Sequence, residues 1–242
     1  MDATLYAVPA SHPCACVEHA LRLKAIPYRR VDMLPVLHKP LQQARFGRAT
    51  VPGLAFDGVR VLGSRPIVRL LEERVPEPPL LPADGQQRMA VELAEAWGDE
   101  VLQPLVRRLV WASLSRDPSA VPSYSRGSRL AVPALLARLS APALARAESL
   151  INGASDPTVR ADLVHLDRHA HRVERWIEEG TLGGERPNAA DLQIGSGLRL
   201  MLTLGDLAPR LDDRPAGELA RRWFPDYPGH VAPGALPAEW LA

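Results

Sequence analysis

Apolar positions along this chain follow two different patterns. Up to about residue 80 they come in short runs. Residues 4–8, TLYAV, form a brief apolar run stopped by Pro9, the pattern of a buried strand. Over residues 13–24, Val17, Ala20, Leu21 and Leu23 recur at helical spacing. Residues 28–33 alternate and predict a second strand. Residues 54–56 and 59–62 flank Asp57-Gly58, and an Asp-Gly pair between two apolar runs predicts a hairpin. Ile67, Leu70 and Leu71 then share one face of a helix over 64–74. The predicted order is β-α-β, an irregular segment, then β-β-α.

Beyond residue 84 the strand signals stop. Residues 89–115 carry apolar positions at helical spacing, with Pro104 expected to kink or interrupt the helix. Further helices are predicted over 130–150, 159–179 and 189–204, with a polar loop over 115–128. The tail DYPGHVAPGALPAEWLA is expected to lie irregularly on the surface. The proline-rich stretch VPEPPLLPAD, residues 75–84, predicts the join. This divides the chain into an α/β domain over 1–76, a linker over 77–84 and an all-α domain over 85–242.

Composition changes this picture little. With 242 residues, 46% hydrophobic and 24% charged, the chain can bury a real core. A net charge of +1 gives no bulk attraction to nucleic acid or anionic membrane. Lys24 and Lys39 are the only lysines, so the basic charge is almost all arginine. No apolar run approaches a membrane span, and the opening MDATLYAVPASH lacks the pattern of a signal peptide. Cys14 and Cys16 are one residue apart, too close for an unstrained disulfide, which favours a reducing cytoplasm.

Candidate chemistry gathers in three places. Residues 9–16, PASHPCAC, hold a serine, a histidine and both cysteines at the first strand–helix junction. Residues 50–54, TVPGL, place a proline just ahead of the hairpin, where its missing N–H suits the start of a strand. Residues 63–66, GSRP, follow the hairpin. Ser64 is a suitable N-cap there, and a helix N-terminus with free amides favours carboxylates.

In this order and spacing, SHPC, TVP, GSRPI and LLPAD, followed by Asn188-Ala-Ala-Asp191 as a capping box, resemble the cytosolic glutathione transferases over essentially the whole length. Ser11 in an S-x-P-C context, with Val31-Asp32-Met33 followed by His38, resembles the theta class. The resemblance implies a thioredoxin-like domain followed by a helical domain, glutathione as co-substrate without a metal, a homodimer and a cytoplasmic location. It implies neither a nucleic-acid nor a membrane partner. By the same resemblance Ser11 is the catalytic residue, donating a hydrogen bond to the glutathione sulfur. His38 would contact the glycyl carboxylate, and Val51 would pair main chain to main chain before a cis Pro52. Ser64, with Gly63 and Arg65 beside it, would hold the γ-glutamyl end. The first long helix of the second domain would line the electrophile pocket, with His12, Arg108 and Trp111 as candidates.

This sequence departs from the family at Gly63, where a Glu or Gln is usual, and at Thr50, where Lys or Arg is frequent. Loss of the acidic group removes a charge-assisted hydrogen bond of about 1.5–3 kcal/mol. The expected activity is conjugation of glutathione, or a related small thiol, to an apolar electrophile. The alternatives are a non-catalytic thiol- or ligand-binding protein on the same fold, and a thiol-dependent isomerase or dehalogenase.

Other readings compete at individual residues. Ser11 could equally cap the first helix. Cys14, with Ser11 in place of a first cysteine, reads as buried packing, and Cys16 as inert. His12 reads as exposed beside Pro13. Trp97 and Trp111 read as core ahead of any pocket role, with Arg107 on the same helix. His165, His169 and His171 read as a polar helix face, because no third ligand or H-E-x-x-H pattern accompanies them.

Overall fold

The structure is a computed structural model, and it describes residues 1–241. Four strands, β1 (Ala3–Ala7), β2 (Arg29–Asp32), β3 (Gly53–Phe56) and β4 (Val59–Leu62), form one sheet in the order β2-β1-β3-β4. Strand β1 pairs parallel with β2 and antiparallel with β3, with Tyr6 opposite Val31 on one side and Gly53 on the other. A parallel pair needs a crossover, and helix α1 (His12–Leu23) supplies it. All five residues of β1 are buried because both faces of the sheet are covered. Leu5 and Ala7 belong to the main core with α1 and α3 (Ser64–Arg74). Tyr6 and Val8 form a smaller cluster with Met33, against which Phe46 packs. In the hairpin turn Asp57 and Gly58 have φ of 46° and 85°, so both adopt the left-handed backbone that the sequence pair anticipated.

Phe46 belongs to α2 (His38–Phe46), a helix where the sequence predicted irregular chain. Only His38 and Gln42 of α2 are buried, while Leu41 is exposed. A helix whose inner face is polar leaves no apolar period to read.

The remaining helices are α4 (Gly85–Trp97), α5 (Gln103–Arg116), α6 (Ala134–Ile151), α7 (Asp156–Glu178), α8 (Ala189–Met201) and α9 (Pro215–Trp223). The helical stretch predicted over 89–115 is interrupted as expected near Pro104, by a π-helical turn, Gly98–Leu102, that joins α4 and α5. Proline cannot supply an amide to the ladder, and the chain widens there. Gly98 lies so close to α8 that an added Cβ would stand 2.9 Å from Ile194 Cγ1. Helix α6 begins after Pro133, four residues later than predicted, and the loop expected over 115–128 is largely a 3-10 helix, Pro118–Ser125.

The tail differs most from expectation. Val231 bridges to Leu204, and Val231, Leu236 and Trp240 are buried. Asp206 accepts from the Gly234 and Leu236 amides at 2.6 and 2.8 Å. The guanidinium groups of Arg116 and Arg160 each lie 4.8 Å from the Trp240 ring. The segment thus packs as core cover, and its loop-like composition conceals three anchoring apolar side chains. Helix α9, unanticipated from sequence, packs on α8 and α7.

Helix α8 is buried almost throughout and meets α1, α4, α5 and α9. Its start is closed by the expected capping box. Asn188 Oδ1 accepts from the Ala190 and Asp191 amides, and Asp191 Oδ2 from the Asn188 amide at 3.0 Å. Asp191 Oδ1 also accepts from the Gly183 amide at 2.8 Å, which fixes the incoming loop. Asp191→Ala leaves two partly buried amides without acceptors. It is expected to lower unfolding stability by about 2–3 kcal/mol, measured by urea denaturation, with Asp191→Asn losing less.

Candidate active site

A cavity of about 1070 Å³ opens between the sheet-bearing half and the helices. Its walls come from the β1–α1 turn, the loop before α2, the Thr50-Val51 loop, α5, the 3-10 helix and α6. Most of the lining is apolar, including Val110, Trp111, Leu114, Leu136, Leu144 and Leu200. Two carboxylates draw the halves together beside it. Glu148 on α6 is buried and accepts from the Val36 amide at 3.0 Å. Asp32 at the end of β2 accepts from the Arg129 amide at 2.6 Å.

Ser11 stands at this cavity, in the N-cap position of α1. Its backbone is extended, with φ −71° and ψ 115°, and its side chain makes no capping hydrogen bond. Ser11 thus holds the N-cap position without its hydroxyl making a capping bond. The preceding Ala10 has φ 57°, and its carbonyl accepts from Tyr227 Oη at 2.9 Å. The tail thus fastens the loop that presents Ser11, a contact no sequence signal announced.

Both cysteines are free and buried. Burial pushes the Cys14 thiol up to about 11, although the Ser11 hydroxyl and the Val8 backbone act the other way. Burial also pushes Cys16 up, and Cys16 Sγ lies 3.7 Å from Gln193 Oε1. Neither offers a thiolate at neutral pH, as the packing readings anticipated.

His12 corrects an expectation: it is 1% exposed, not solvated. Position N1 of α1 turns it inward toward Gly197 of α8, where the absence of a side chain leaves room. Its Nε2 has no partner, and burial with the nearby Arg107 charge pushes its pKa down to about 3. It is neutral at physiological pH.

The other predicted residues divide into two groups. His38, Thr50 and Val51 line the same cavity as Ser11. His38 is buried at the start of α2, with Nδ1 3.3 Å from the Leu34 carbonyl, and burial lowers its pKa. Val51 precedes a cis peptide bond to Pro52 and pairs with no other backbone group among the described residues, its carbonyl accepting only from the Thr50 hydroxyl at 3.4 Å. Pro52, Gly63, Ser64 and Arg65 are not part of the cavity wall. The Pro52 carbonyl accepts from the Gly63 amide at 2.9 Å. Gly63 itself is the N-cap of α3, and Ser64, predicted for that position, is the buried first helical residue. Gly63 has φ 94° and ψ 146°, where a side chain is strained. Arg65 is committed to the π-helical turn after α4, with Nη1 3.2 Å from Glu100 Oε1, in a shallow cleft with Arg69 and Asp99.

On α5 the structure favours a different arginine from the expected one. Arg108 points away from the cavity and holds Asp162 of α7 through bonds of 2.6 and 2.8 Å. Arg107 lines the cavity with Trp111. The signal was available, since 107 and 111 are four apart and share a helix face, whereas 108 is turned by one residue. Elsewhere, His169 packs against the Trp97 ring, with centroids 5.5 Å apart, and His171 Nδ1 lies 2.7 Å from the Asp167 carbonyl. Among the described residues no group of three or more His, Cys, Asp or Glu is placed to hold a metal.

Against known proteins, residues 5–79 match the family model described as glutathione S-transferase, N-terminal domain. The sheet with its helices, followed by the helical half, has the glutathione transferase architecture. A glutathione S-transferase from Rhodospirillum rubrum superposes with a TM-score of 0.61 at 19% identity, covering 99% of this chain and 98% of that one. FzlA from C. crescentus gives 0.60 at 19% identity, covering 100% and 98%. A maleylacetoacetate isomerase from Anaeromyxobacter dehalogenans, with glutathione (GSH) bound in its active site, gives 0.54 at 22% identity, covering 92% and 89%. At such identities the likeness is one of fold. No curated protein sequence matches the chain. No helix among the described residues is long and apolar enough to cross a membrane.

The buried neutral His12 has a consequence for stability. Below its ordinary pKa of 6.5 the unfolded chain takes up a proton that the folded chain refuses down to about 3. Folding stability therefore falls as pH drops through that window, by about 2 kcal/mol from this group between pH 7 and pH 5. Urea denaturation at the two pH values should show a smaller loss in His12→Phe than in the native chain. Equal losses would contradict the burial of a neutral ring.

Proposed function

We propose that the protein is a glutathione S-transferase of theta-like character. It would activate the thiol of glutathione, or of a related small thiol, for attack on an apolar electrophile. The observation that carries this reading is the Ser11 hydroxyl, which makes no capping bond, held at the positive end of α1 on the wall of a large apolar cavity. A free thiol is largely protonated at neutral pH. A hydroxyl donor and a helix N-terminus both favour its anion. Val51 would pair with the cysteinyl backbone, His38 would take the glycyl carboxylate, and Gly63, Ser64 and Arg65 would face the γ-glutamyl end. The cavity would hold the electrophile beside the sulfur, and juxtaposition of the two reactants supplies much of the rate gain. Residues 1–76 would form the thiol-binding domain and residues 85–242 the electrophile domain, in a cytoplasmic homodimer that needs no metal.

Gly63 favours a second reading, a thiol- or ligand-binding protein on this fold without turnover. The usual acidic partner of the γ-glutamyl ammonium is missing. Restoring it by Gly63→Glu also costs about 1–3 kcal/mol of backbone strain at this φ. Calorimetric binding of glutathione without conjugation would support this alternative.

The test of the first reading is conjugation of glutathione to activated aryl and alkyl halides by the purified protein. Ser11→Ala is expected to slow it by about ten- to hundredfold, the effect of one hydrogen bond to a charged atom. Activity unaffected by the substitution would sink the serine mechanism.

A further inference from the structure

Arg107 differs from most interior cations of this protein. Arg108, on the next position of α5, holds Asp162 through two bonds, and Arg69 is paired with the buried Glu95. Arg107 is half-buried in the cavity wall, yet it makes no ion pair and no hydrogen bond among the described residues. Its Nε is enclosed and unpartnered. The two nearest acids do not reach it. Asp99 sits within 4.0 Å of Arg65, and Glu148 is occupied by the Val36 amide and by Asn152 at 3.1 Å.

An unpaired guanidinium withdrawn from water is costly, and buried charges are ordinarily matched. Burial also draws Arg107 below its ordinary pKa, the direction expected of a cation without a counter-ion. The surroundings of this charge are apolar. Val110 and Trp111 lie on the same helix, with Leu114 one turn on and Leu144 on α6. Arg107 lines the cavity together with Ser11 and His12, and its charge acts on His12. A planar fork of donors in an apolar chamber is suited to a carboxylate held bidentately, with the rest of the ligand in the apolar space.

We propose that the cavity takes apolar molecules bearing one carboxylate, and that Arg107 binds that carboxylate and so sets which end of the molecule faces Ser11. This names the electrophile class of the transferase reading and rests on it for the chemistry, whereas binding itself requires no thiol. The carboxylate does not react; it orients.

The experiment is calorimetric titration of the whole protein with 4-phenylbutyrate and with its uncharged amide, each with and without saturating glutathione. The expected result is binding of the carboxylate about tenfold or more tighter than the amide. Arg107→Met should erase that preference while leaving amide binding unchanged, and Arg107→Lys should keep part of it. Arg107→Gln provides a second neutral variant should Met disturb folding, which thermal denaturation would reveal. Equal affinity for the two ligands, no binding of either, or a preference that survives in both neutral variants would overturn the proposal. So would loss of carboxylate binding when glutathione is present, since Arg107 would then belong to the thiol's own carboxylates. Carboxylate binding in a protein that neither binds nor conjugates glutathione would leave this proposal standing and defeat the transferase reading.

Discussion

The structure depends on a helix that begins inside the protein. Every helix start leaves amides without partners, and at α8 they lie partly buried. Asn188 and Asp191 satisfy those amides and that of Gly183 with two side chains. Burial raises the pKa of Asp191, and the amides that point at it act in the opposite direction. Once its start is closed, α8 can be apolar and small along its length. Gly195 and Gly197 let Phe224 and His12 come close, and α1, α4, α5 and α9 pack around it. The position of α1, and with it Ser11, follows from this arrangement.

The cavity is the space that this packing leaves between the halves. Its chemistry is defined as much by what is silenced as by what is free. Both cysteines are held as thiols by burial, and His12 is held neutral. Ser11 remains as a hydroxyl that caps no amide of α1, and the tail secures its loop through Tyr227. Glu148 and Asp32 accept from backbone amides across the gap, and Glu148, so engaged, forms no ion pair with Arg107.

Much of the first half was legible because local and tertiary signals agree there. The run at residues 4–8, the Asp57-Gly58 turn and the helix Ser64–Arg74 each follow from pattern alone. The capping box was legible because its two side chains lie three residues apart in sequence. What was not legible depended on distant partners. Helix α2 buries polar residues, so it shows no apolar period. The tail reads as loop because its buried apolar anchors, Val231, Leu236 and Trp240, are widely spaced. His12 reads as exposed beside Pro13, because nothing local announces Gly197 facing it across α8. The choice between Arg107 and Arg108 turned on one residue of helix phase, and Asp162, which claims Arg108, lies 54 residues away.

The central claim is that Ser11 and the start of α1 stabilise a thiolate on a bound small molecule. Its most direct measurement is ultraviolet titration of thiolate absorption for glutathione on the protein. Bound glutathione should ionise clearly below the usual thiol value of about 8.5, and Ser11→Ala should return it toward that value. A bound thiol that ionises no earlier than the free one, with or without Ser11, would contradict the account.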